Sequence, residues 1–214
     1  MKTAARSTTT SLRARLQQAT LKLHRSVERH FDLADRTWTA GDYRRLLERL
    51  WGIYVPLECA LTRLDWRECG FDAAARCKSS WLKADLAHFG LSHMSIADLP
   101  HCDDLPKLDT AADGLGAFYV LEGATLGGRV ILGALEPQLG ISPEAGGRFF
   151  ASYGAAVGQQ WRSYLDVLEH YGATPPASNS ITHSAIRTFE SFERWFAAPG
   201  LNVNLSPEKR HAHA

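Results

Sequence analysis

The chain has 214 residues, 45% of them hydrophobic and 22% charged, with a formal net charge of +1. That length suits one sizeable domain of ordinary globular composition, and near-neutral charge removes any bulk attraction for nucleic acid. The four cysteines, Cys59, Cys69, Cys77 and Cys102, lack CxxC or metal-ligand spacing, so free thiols in a reducing cytoplasm are expected rather than disulfides or zinc.

Residues 1–10 read as a flexible tail. The stretch is rich in Arg, Ser and Thr and has no apolar segment, so it is not a secretory signal. A transit peptide also fits its composition, but a short tail is the simpler reading. Leu12, Leu16, Ala19, Leu23 and Val27 then recur at steps of three and four, which predicts a helix over 11–31. A second helix starts near Thr39 and carries Tyr43, Leu46, Leu47, Leu50, Trp51 and Tyr54, with a kink or break expected at Pro56. Asp72 caps a third that ends at Gly90. Residues 91–108 read as an irregular connection, with a short turn at "SIADL".

The next helix, 109–136, stops before Pro137. Ser142 and Pro143 have the N-cap and first-turn chemistry of a helix reaching Tyr171. "GATPPASN" reads as a loop, a last helix spans 180–197, and residues 199–214 form a second flexible tail. No strand, repeat or uninterrupted apolar run near the ~20 residues of a membrane span is evident. The expectation is one all-α, multi-helix domain over 11–198, in contact with neither membrane nor nucleic acid.

Two stretches carry chemistry. In "YVLEGATLGGRVI", residues 119–131, each glycine costs a helix interior roughly 1 kcal/mol relative to alanine. Gly116, Gly123 and Gly127 fall on one stripe, and Gly128 widens it. Helix–helix packing and a flat ligand against bare backbone both explain the stripe. A phosphate loop does not, because Arg129 and Val130 replace its lysine and hydroxyl residue. In "ATLKLHRSVERH", His24 borders the buried stripe with Glu28 one turn on. A carboxylate there can fix the imidazole tautomer and leave the other nitrogen for a metal; an exposed His–Glu helix pair is the simpler alternative. Lys22, Arg25 and Arg29 add positive charge that suits carboxylates of a ligand or of an acidic partner. No HExxH, inward Glu-x-x-His pair or nucleophile motif is present; the one Glu-x-x-His, Glu208/His211, lies in the tail.

Taken in order, "QATLKLHRSVE", "YRRLLERLWGIYVPLE", "WLKADLAHFG", "FYVLEGATLGGRVI" and "AIRTFESFERWF" resemble the bacterial heme oxygenases over residues 12–197, most closely those that supply bilin to bacteriophytochromes. The resemblance implies a fold with heme b between the first, proximal helix and the glycine-bearing, distal helix. His24 matches the axial ligand of the iron and Glu28 the residue that orients it. Gly123 and Gly127 match the catalytic distal glycines, with Gly128 beside them. Arg25, Tyr119 and Arg187 are candidate anchors for the heme propionates. The implied reaction cleaves heme, both substrate and cofactor, with O2 and electrons from a ferredoxin or flavin-type reductase. Its products are biliverdin (the α isomer by default), CO and ferrous iron, with a bacteriophytochrome as a candidate bilin acceptor. One residue departs from many relatives: Ala124 stands where they carry a water-anchoring Asp. That departure keeps a non-catalytic heme-binding or heme-delivery role open, and a heme-free helical interaction protein is the third reading.

Overall fold

Among the described residues, 11–30 and 37–198 of a computed structural model, every regular element is helical. The two expected tails lie outside them. Helix α1 (Leu12–Arg29) starts where Ser11 Oγ accepts from Ala14 N at 3.2 Å. Glu169 holds the same end, accepting from the backbone N–H groups of Leu12 at 3.1 Å and Arg13 at 2.9 Å, so a carboxylate meets the positive end of the helix dipole.

Helix α2 (Ala40–Thr62) begins with a Thr39–Asp42 capping box and runs unbroken through Pro56, where a kink or break was expected. Proline leaves the carbonyl four residues earlier without its usual donor. That carbonyl belongs to Gly52, and Cys102 N supplies the missing bond at 2.8 Å. A side chain at Gly52 would also collide with Pro100 O, 2.5 Å from its Cβ. The 98–110 connection therefore crosses α2 where proline and glycine together have opened it.

Asp72 caps only a short 3-10 turn, Ala74–Arg76, by accepting from Ala75 N at 3.0 Å. Helix α3 (Ser79–His88) starts later than expected because the buried carboxylate of Glu58 accepts from Lys78 N at 2.6 Å and Ser79 N at 3.0 Å. Burial pushes the Glu58 carboxyl above its ordinary range, and those backbone donors oppose the shift. Helix α4 (His93–Ala97) is the short turn expected near "SIADL".

Helix α5 (Ala111–Leu139) carries the glycines. It opens with a Thr110–Asp113 capping box and ends at Gly140, whose φ of 66° is left-handed. It passes Pro137, which sits in its last turn and so interrupts little. The single helix expected from Pro143 to Tyr171 is instead two. Ser142 Oγ accepts from Glu144 N at 3.2 Å inside a turn, and Gly146 at φ 81° cannot continue a helix. Helix α6 (Arg148–Ala151) starts on the buried carboxylate of Asp85, which accepts from Arg148 N at 2.9 Å and Phe149 N at 2.8 Å. Ser152, at φ 52°, breaks the chain away before α7 (Val157–Tyr171). Helix α8 (Pro175–Ala197) begins inside the expected loop. Thr174 is its N-cap, and Pro175 and Pro176 occupy its first positions, where no N–H is needed.

The core is organised around α5 and α8, which pack along each other; α1 lies on α8, while α6 and α7 flank α5. α5 is the one described helix long and apolar enough to cross a membrane, with mean hydropathy 1.3 over its best window, yet 56% of that window is buried within the protein. Its apolar character serves the core.

Candidate functional site

α1 and α5 are aligned by their shared neighbour α7. The start of α1 lies at Glu169, near the end of α7. Leu115 of α5 accepts through its carbonyl from Tyr164 OH at 2.7 Å, and Tyr119 packs on Trp161, near the start of α7, at 5.8 Å. Both helices therefore run antiparallel to α7. They meet where Thr20, whose hydroxyl donates to Leu16 O at 2.8 Å, lies beside the Tyr119 phenol. One turn beyond that contact, α1 presents His24. One and two turns beyond it, α5 presents Gly123 and Gly127.

His24 is half exposed. Its Nδ1 lies 3.3 Å from Glu28 Oε2, and its side chain is 49% accessible. Phe189 of α8 stands edge-on to the imidazole at 5.7 Å. With Nδ1 turned toward a carboxylate, Nε2 keeps the lone pair that a metal takes. Leu21 beside it is 42% exposed, unusual for a leucine on a helix with a well-formed buried face.

The glycine stripe of α5 divides in two. A Cβ at Gly116 would lie 2.3 Å from Ile181 O of α8, and one at Gly128 would lie 2.5 Å from Phe150 O of α6. Both glycines serve helix packing, so the expectation that Gly128 widens the bare strip is corrected. Among the described residues, Gly123 has only the tip of Trp161 nearby, at 3.9 Å, and Gly127 has nothing within 4 Å. Leu126 at 45% and Val130 at 72% exposure share that open face. The bare backbone is thus edged by partly exposed apolar side chains.

The expected propionate anchors fare differently. Tyr119 closes the inner end of the opening; burial raises its phenol pKa and the nearby Thr20 hydroxyl partly offsets this. Arg25 is exposed on α1. Arg187 leaves α8 on the side opposite Phe189 and pairs with Glu190 at 2.9 Å, so it is not brought to His24. Ala124 is exposed and offers no polar group, and the neighbouring Thr125 hydroxyl is turned inward, donating to Glu122 O at 2.6 Å. Trp161 and Phe189 are the residues the sequence did not single out for the site. Their aromatic character was visible, but the pairings that bring them to Gly123 and His24 are long-range. A separate cleft of about 570 Å³, lined by Trp81, Asp85, His88, Glu144 and Arg148, touches neither residue.

These features fit a flat, apolar, metal-bearing molecule: one nitrogen donor with its second-sphere carboxylate, a side-chain-free ridge, and an exposed apolar border. The comparisons with known proteins agree. The family model for heme oxygenase matches residues 10–198. A solved structure, the NO- and CO-bound heme oxygenase from Neisseria meningitidis, superposes with a TM-score of 0.74 at 16% identity. That match covers 94% of this chain and 96% of the other, and shows a shared fold. No curated protein sequence matches significantly. The class is therefore an all-α fold of the kind seen in that structure. By the family match, the chain belongs to the heme oxygenase family.

Proposed function

We propose that the protein cleaves heme at a meso carbon to biliverdin, CO and ferrous iron, using O2 and electrons from an external donor. The observation that carries this reading is the shared direction of His24 and the bare ridge beyond the Thr20–Tyr119 contact. Bound heme would supply the O2-binding iron and the carbon that is oxidised. His24 would hold the iron through Nε2, and Glu28 would keep Nδ1 protonated and the ring oriented. Phe189 limits the swing of that ring. Gly123 and Gly127, bare of side chains, would let the backbone of α5 lie close to the macrocycle. Leu21 and Leu126, already more than half buried, and Val130, 72% exposed, would lose water on binding, worth on the order of 1 kcal/mol each.

The remaining parts of the reading follow from the surroundings. Lys22, Arg25 and Arg29 give the outer side of α1 a positive face suited to an acidic electron donor of the ferredoxin or flavin-reductase type. Four free cysteines suit a reducing, cytoplasmic setting. A bacteriophytochrome is a fitting bilin acceptor.

One observation favours a second reading, heme binding or delivery without cleavage: Ala124 and the inward-turned Thr125 leave the open face of α5 without a group to anchor water. The two readings separate in one experiment, in which hemin, an electron donor and air are added to the protein. Cleavage predicts decay of the Soret band and growth of bilin absorbance in the red. A Soret band that persists through reduction and reoxidation would support the binding reading.

A further inference from the structure

α5 is apolar on nearly every side, and hydrophobic burial alone does not fix the rotation of such a helix about its axis. The heme reading above, on which this inference rests, needs that rotation to be correct, because only one stripe of α5 is bare. In the middle of the helix stands Glu122, directly before Gly123 and 0% exposed. Its Oε1 accepts from Lys78 Nζ at 2.6 Å and Tyr153 OH at 2.9 Å, and its Oε2 accepts from Arg76 Nη1 at 2.9 Å. Lys78 is itself 1% exposed, and its Nζ also donates to Arg76 O at 2.8 Å. Arg76 reaches on to α7, donating to Gln160 O at 3.0 Å and Ser163 Oγ at 2.7 Å.

One carboxylate is therefore held by the segment before α3 and by the turn before α7, and is tied through Arg76 to α7 itself. Buried ion pairs contribute weakly to stability, since desolvation of the ions offsets their attraction; their best-attested use is to fix register. Here the fixed element is the helix that carries the ridge. Glu122 and Gly123 are about 100° apart around the helix axis, so the clamp grips one side while the ridge is presented on another. We propose that Glu122, gripped by Lys78, Arg76 and Tyr153, is a positioning residue that sets the rotation and axial register of α5. Through them it sets where the bare backbone lies over the macrocycle, and so which meso carbon is attacked.

The test reads position first and chemistry second. With the four cysteines replaced, nitroxide labels at Leu21→Cys and Val130→Cys report the α1–α5 separation in the full chain without heme. Glu122→Gln should broaden that distance distribution about two-fold or more at unchanged helix content, because the cations lose their partner. Tyr153→Phe removes one grip without unbalancing charge and should broaden it less. In unlabelled hemin complexes, both variants should shift the ratio of biliverdin isomers. Glu122→Gln should also lower turnover about ten-fold or more, while hemin affinity stays within about three-fold. Parent-like distances in both variants overturn the proposal, as does a parent-like isomer ratio in both. If Glu122→Gln does not fold, the distances and isomer ratio of Tyr153→Phe decide. A parent protein that binds hemin yet makes no bilin would sink the functional reading alone, and the label distances would still judge the clamp.

Discussion

Gly116 and Gly128 lie on the same helix as Gly123 and Gly127, but for opposite physical reasons. The first pair is bare because neighbouring backbone fills the space: Ile181 O and Phe150 O would lie 2.3 Å and 2.5 Å from an added Cβ. The second pair is bare with almost nothing against it among the described residues. A glycine in a helix interior is a standing cost of roughly 1 kcal/mol relative to alanine. In the packed pair, close helix contact offsets that cost. In the open pair no described residue does, and this is the opening that the proposed heme would fill.

Substitutions can break or sharpen this contrast. The largest effect is expected where Gly127 becomes leucine. Open space around it should let the protein fold, while the side chain fills the distal side and lowers turnover about 100-fold or more. Hemin titration and bilin formation, measured side by side, would show turnover falling further than affinity. His24→Ala should come next, weakening hemin binding about ten-fold or more and removing the sharp Soret shift, by analogy with other lost metal ligations. The melting temperature of the heme-free protein should hardly change, since His24 is half exposed.

Alanine at the four glycines gives the cleanest signs. Gly116→Ala and Gly128→Ala should destabilise by about 1–3 kcal/mol, because backbone on the facing helix must move. For a chain of this size that is about 2–4 °C in melting temperature per kcal/mol. Gly127→Ala, and to a lesser degree Gly123→Ala, should instead stabilise the heme-free protein by up to about 1 kcal/mol. The smallest expected change is therefore the most telling, since one chemical substitution changes sign along one helix. A uniform loss of stability at all four positions in calorimetry would erase the distinction.

The sequence carried the all-α class, the two site-bearing helices and the pairing of His24 with Glu28, because helical spacing is a local property. It could not divide the glycines. Gly116 and Gly127 share a stripe on a helical wheel, and only the arrival of α8 at one and its absence at the other separates them. The helix ends depart from the local sequence signals for similar reasons. Pro56 is tolerated because Cys102, far away in sequence, supplies a donor to Gly52 O. The start of α3 depends on Glu58 and the start of α6 on Asp85, acceptors that no local motif announces. Arg187 shows the limit of charge alone: its partner Glu190 was visible one turn on, but the side of α8 it occupies was not. Glu122 was plain in "VLEGATL", yet its role depends on Lys78, Arg76 and Tyr153 converging from other segments.

The most direct measurement is the crystal structure of the hemin complex. The account predicts iron bonded to Nε2 of His24, with the macrocycle lying along the backbone of Gly123 and Gly127. Iron held by another group, such as His88 in the cleft beside Trp81 and Arg148, would contradict it.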